Sequence, residues 1–97
     1  MSQTVTALIL LGVLKMTFFY FMMKKYKNGD GAKRDLACDM YDDKEKFPRN
    51  GLSNLKFWHK GIRAYLETQG ACDDCLEVFE KCWKEYIKCL KKLSSVN

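Results

Sequence analysis

The stretch VTALILLGVLKMTFFYFMM, Val5 to Met23, decides how the rest of the chain is read. It runs for 19 residues with one charge, Lys15. A bilayer core takes roughly 20 apolar residues in helical form. The run therefore predicts a transmembrane helix rather than a buried core helix, since the remainder of the chain offers little apolar surface to wrap it. No basic segment precedes it, and large or charged residues rather than a small-residue cleavage site follow it, so the anchor is expected to stay uncleaved.

Lys15 lies near the middle of that run. A mid-membrane lysine costs about 3 kcal/mol on insertion scales and calls for a partner. The run contains no acid, so the partner has to come from another chain. Gly12 lies on or near the same face and lets a neighbouring helix approach. Gly12 and Lys15 are thus expected to contact another subunit of a membrane complex.

Outward from the run, KKYKNGDGAKR at 24–34 carries five cations and one anion, whereas residues 35–97 carry 11 of each. The basic character of the chain, net charge +5, is therefore local. A nucleic-acid footprint should spread over the folded part, so nucleic acid is not an expected partner. Lys24, Lys25 and Lys27 instead read as contacts to anionic lipid headgroups beside the span. By the positive-inside rule they place the C-terminal part on the cytosolic or matrix side. Residues 35–46 are acidic and mixed, with a short helix possible, and FPRNG at 47–51 breaks the chain around its only proline.

Two amphipathic helices follow. Ser53 reads as a helix cap, Leu55, His59, Ile62 and Leu66 fall at spacings of 4, 3 and 4, and Gly70 reads as the stop. Cys72, Cys75, Phe79, Cys82, Tyr86, Cys89 and Leu93 then alternate at 3 and 4, with Trp83 widening the stripe. The short link between the two predicts an antiparallel hairpin. Phe79, Cys82, Trp83, Tyr86 and Cys89 form a face expected to bury against a partner protein.

Four of the five cysteines lie on the last helix. Seven residues of helix rise ~10.5 Å, so Cys75, Cys82 and Cys89 can neither share one zinc nor bridge one another. Only Cys72 and Cys75 are within reach on the helix, and Cys38 is the one cysteine elsewhere. Packing groups and disulfides involving Cys38, Cys72, Cys75 or Cys82 both remain open. Asp73 and Asp74 argue against a reactive dithiol, because nearby anions raise a thiol's pKa.

Cys72 and Cys82, with nine residues between them on an amphipathic helix, resemble one half of the twin C-x9-C proteins of the mitochondrial intermembrane space. The layout is similar to small accessory subunits of mitochondrial respiratory complexes. That resemblance implies the inner membrane, with the side of the C-terminal part undecided between the charge flank and the cysteines. The expected fold is all-α: a transmembrane anchor (1–23), a basic juxtamembrane segment and acidic linker (24–51), and a helical hairpin (52–97). One histidine, no glycine-rich phosphate loop and no complete metal motif give no catalytic set and call for no cofactor. The expected function is a non-enzymatic accessory subunit, bound to other subunits and to membrane lipids. The competing reading is a membrane-anchored thiol protein using Cys72 and Cys75.

Overall fold

A computed structural model describes residues 16–94 and places four helices there. They are α1 (Phe18–Lys25), α2 (Gly31–Asp42), α3 (Leu55–Thr68) and α4 (Asp73–Ser94). The all-α expectation for these residues stands. The continuous Val5–Met23 span does not, since Met16 and Thr17 are not helical.

The expected span is interrupted at Thr17. This residue is extended (φ −75°, ψ 164°), and its side-chain oxygen accepts the Tyr20 N–H at 3.0 Å. That is N-cap geometry, so α1 begins at Phe18 instead of continuing a helix from Val5. The helix stops after eight residues, with Lys24 and Lys25 in its last turn, where cations suit the negative end of the backbone dipoles. Its apolar residues are turned inward: Phe18, Phe19, Phe21 and Met22 are all buried within this chain. Among the described residues no helix is long and apolar enough to cross a membrane. Gly12 and Lys15 lie outside the described residues.

The apolar surface for those side chains comes from α4 and from the stretch expected to be a linker. Phe18 is fully buried, with its ring edge-on to Phe79 (5.4 Å, 86°) and Tyr86 (5.7 Å, 72°) and tilted against Trp83 (5.3 Å). Fully burying a phenylalanine contributes about 1.5–3 kcal/mol before any aromatic pairing. α2 adds Leu36, Ala37 and Met40 at helical spacing, and Phe47 packs on Phe19 at 5.9 Å. The 24–51 region is thus a helix and an ordered turn of the core, not a linker between anchor and hairpin.

α3 follows Asn54, which sits in the left-handed region (φ 55°) and takes the capping position expected of Ser53. Ile62 and Leu66 bury against the core. Gly70 (φ 84°) reverses the chain, with its N–H on Glu67 O and the Ala71 N–H on Leu66 O. α4 then returns alongside α3, bringing Phe79 under the His59 ring (5.4 Å, 20°). Its buried stripe is Leu76, Phe79, Cys82, Trp83 and Tyr86. Cys72 and Leu93, at the two ends of the sequence pattern, are exposed.

One buried polar network ties the start of α1 to this frame. Asn50 is 4% exposed. Its Oδ1 accepts the Phe18 N–H at 2.8 Å, a donor that α1 cannot satisfy internally. Its Nδ2 donates to Tyr86 Oη at 2.9 Å and to Gly51 O at 2.8 Å. The Tyr86 hydroxyl in turn donates to Met16 O at 2.6 Å. The residues around Thr17 are therefore held from both the 47–51 turn and α4.

Candidate functional site

The face formed by α2, the following turn and the α3–α4 junction encloses a cleft of about 460 Å³. That lies in the size range of small-ligand sites. Its floor is apolar, made by Leu36, Met40, Phe47 and Leu66. Its rim is acidic and thiol-bearing, made by Asp39, Asp42, Asp43, Cys72 and Cys75.

The local sequence explains this arrangement. Leu36 and Met40 share one side of α2, and Asp39 and Asp42 project beside them at the exposed edge. Asp43 ends the helix, its N–H shared between Asp39 O and Met40 O. Tyr65 crosses from α3, packs edge-on against Phe47 (5.5 Å, 78°) and donates its hydroxyl to Asp43 Oδ2. That hydrogen bond, together with burial and the Asp43 charge, pushes the Tyr65 hydroxyl up to about 12. Tyr65 is thus neutral near pH 7 and acts as a fixed donor rather than an acid or base. Asp39 and Asp42 have no cation partner among the described residues.

Cys72 stands just before α4, and its carbonyl accepts the first intrahelical bond, from Leu76 N–H at 3.0 Å. The pull on its thiol comes first from the Cys75 backbone N–H, then from the Cys75 thiol and the Asp74 N–H. These donors lower the Cys72 thiol against the opposing burial and Asp74 charge. The direction for Cys72 is thus opposite to the one expected from Asp73 and Asp74, although the Asp74 charge does act to raise it. Cys75 is raised, first by its hydrogen bond to Cys72 and then by burial. All five cysteines are free thiols, and Cys82 sits fully buried in the core, where burial pushes it up. Among the described residues no cluster of histidine, cysteine or carboxylate side chains could hold a metal ion.

The residues assigned to a partner-facing stripe lie elsewhere. Phe79, Cys82, Trp83 and Tyr86 are buried inside this chain, and Cys89 is half-buried against the same core. The stripe is filled by α1 and α2, not left open. Of the expected headgroup lysines, Lys25 lies 3.7 Å from Glu85 and over the Phe21 ring. Lys27 lies over Tyr41 at 4.3 Å, and Lys24 is exposed near Tyr20. Glu85 also accepts from Lys33 at 2.5 Å and from the Tyr26 hydroxyl. Sequence reasoning missed Asn50 and the carboxylate rim. The closely spaced Asp39, Asp42 and Asp43 were visible, but nothing placed an apolar floor beneath them.

The family model for the YozE SAM-like fold matches residues 17–88, and the chain belongs to that family. The match starts at the Thr17 cap and covers all of α1, α2 and α3 and most of α4. It replaces the resemblance to twin C-x9-C proteins and to mitochondrial respiratory accessory subunits, and it removes the basis for the inner-membrane location and the membrane-complex role. No curated protein and no solved structure matches the chain.

Proposed function

We propose that the chain is a non-catalytic protein-binding module whose cleft takes a partner segment with a basic side chain next to an apolar one. The observation that carries this is the pair Asp39 and Asp42, exposed and without a cation partner among the described residues, standing over the floor of Leu36, Met40, Phe47 and Leu66. An aliphatic or aromatic side chain fills the floor, and a lysine or arginine meets the rim. Such a pairing supplies orientation and salt dependence more than raw affinity. The chemistry of the rim supports binding over catalysis. Tyr65 is locked on Asp43, and among the described residues lining the cleft no histidine or lysine stands beside Cys72. Nucleic acid does not suit this site, since its rim repels phosphate.

A random peptide library displayed on phage and selected on the full chain tests the reading. The enriched peptides should carry lysine or arginine adjacent to a large apolar residue. Their affinity, read by fluorescence anisotropy, should fall about tenfold in Asp39→Asn/Asp42→Asn, which is about 1.4 kcal/mol. Enriched peptides without a cation, or an affinity unchanged in that variant, would overturn it.

A further inference from the structure

We infer that Cys72 and Cys75 form a thiol–disulfide exchange site, in which Cys72 attacks a low-molecular-weight disulfide and Cys75 resolves the adduct into an internal disulfide. The inference goes beyond the peptide-binding reading and does not depend on it.

Geometry carries it. The two residues are one helical turn apart at the start of α4, with Cys72 in the capping position. Three residues of helix separate Cα atoms by about 5 Å, inside the range a disulfide accepts. Both are free thiols. No other pair on α4 meets the distance condition, because Cys75, Cys82 and Cys89 stand two turns apart. Cys72 is exposed, so a small disulfide reaches it, and Cys75 is half-buried beside it on the cleft rim.

The roles divide by environment. Cys72 is the exposed member and its thiol is lowered, first by the Cys75 backbone N–H, whereas Cys75 is half-buried and its thiol is raised. A thiolate at a helix start is the attacking species in such exchange. It bonds to one sulfur of the small disulfide and expels the other as a thiolate. Cys75 then loses its proton to solvent and attacks Cys72 Sγ. The bond from Cys72 to the small thiol breaks, and the second small thiolate leaves. In sum, two protein thiols lose two electrons and two protons, and one small disulfide becomes two thiols.

The test equilibrates the full chain with glutathione and glutathione disulfide at graded ratios, followed by acid quenching, alkylation and peptide mass mapping. The peptide holding both Cys72 and Cys75 should lose two hydrogens and become inert to alkylation, while Cys82 stays alkylatable only after unfolding. Cys75→Ser should stall as a glutathione adduct on Cys72, and Cys72→Ser should lose the disulfide altogether. Both positions lie off the core, so circular dichroism should report an unchanged fold in each variant. The inference is overturned if Cys72 reacts no faster than Cys38 and Cys89, or if the wild-type chain accumulates the adduct without closing the internal bond.

Discussion

Replacing Asn50 with alanine removes the residue that joins the start of α1 to α4 without touching any apolar contact of the core. Three hydrogen bonds are lost, and their costs differ. The Phe18 N–H, now bonded to Oδ1 at 2.8 Å, is buried and has no second acceptor among the described residues. Stranding a buried donor costs about 1–3 kcal/mol. Tyr86 Oη loses a donor but keeps its own bond to Met16 O at 2.6 Å, and the loss of one bond costs about 1 kcal/mol. Gly51 is exposed, so its carbonyl turns to water at little cost. The expected destabilisation is therefore about 2–4 kcal/mol, a large share of the ~5–15 kcal/mol that holds a typical domain. Tyr86→Phe should cost less, about 1–2 kcal/mol, because Asn50 Nδ2 retains Gly51 O. Because Asn50 and Tyr86 touch, the double variant should depart from additivity by at least ~0.5 kcal/mol. Urea unfolding followed by circular dichroism at 222 nm reads all three. An Asn50→Ala variant within about 0.5 kcal/mol of wild type would refute the argument, since it would mean that Phe18 N–H is not held in a buried network.

Phe18→Ala should cost about 3–5 kcal/mol, measured in the same unfolding assay, because it empties a fully buried site between Phe79, Trp83 and Tyr86. Tyr65 has a raised pKa, so its protonated form is favoured by folding. Its contribution is intact below the ordinary tyrosine value of 10.0 and is lost as pH rises towards about 12. Melting temperature in wild type should fall across that window more steeply than in Tyr65→Phe, and equal slopes would sink the Asp43 assignment. Gly70→Ala should cost about 1–2 kcal/mol in the same unfolding assay, since Gly70 holds φ 84° at the α3–α4 reversal, where a Cβ brings strain.

The α3–α4 hairpin was legible because its signals are local. Ile62 and Leu66 repeat at helical spacing, Gly70 marks the reversal, and the Leu76–Tyr86 stripe keeps its period over several turns. What covered that stripe was not legible. Hydropathy assigns Phe18 to Met22 equally well to lipid or to a protein core, since both are apolar. The Thr17 cap was present in the sequence, but a long apolar run masked it. The Asn50 bond to Phe18 spans 32 residues, and the FPRNG stretch reads only as a chain break. The cleft was hidden for a related reason. Asp39 and Asp42 read as solvated acids until Leu66 from α3 and Phe47 from the turn close the floor beside them. The lowered Cys72 thiol depends on backbone N–H groups, which no residue pattern displays.

The central claim is that α1 is part of the same folded unit as α4. Native-state hydrogen exchange of the full chain across a urea series, read by mass spectrometry, tests it most directly. The Phe21 and Tyr26 amides, bonded to Thr17 O and Met22 O at 2.9 Å, should lose protection in the same cooperative transition as the Phe79–Tyr86 segment. Protection of α1 that persists after α4 has opened, or that is absent while α4 remains closed, would contradict the account.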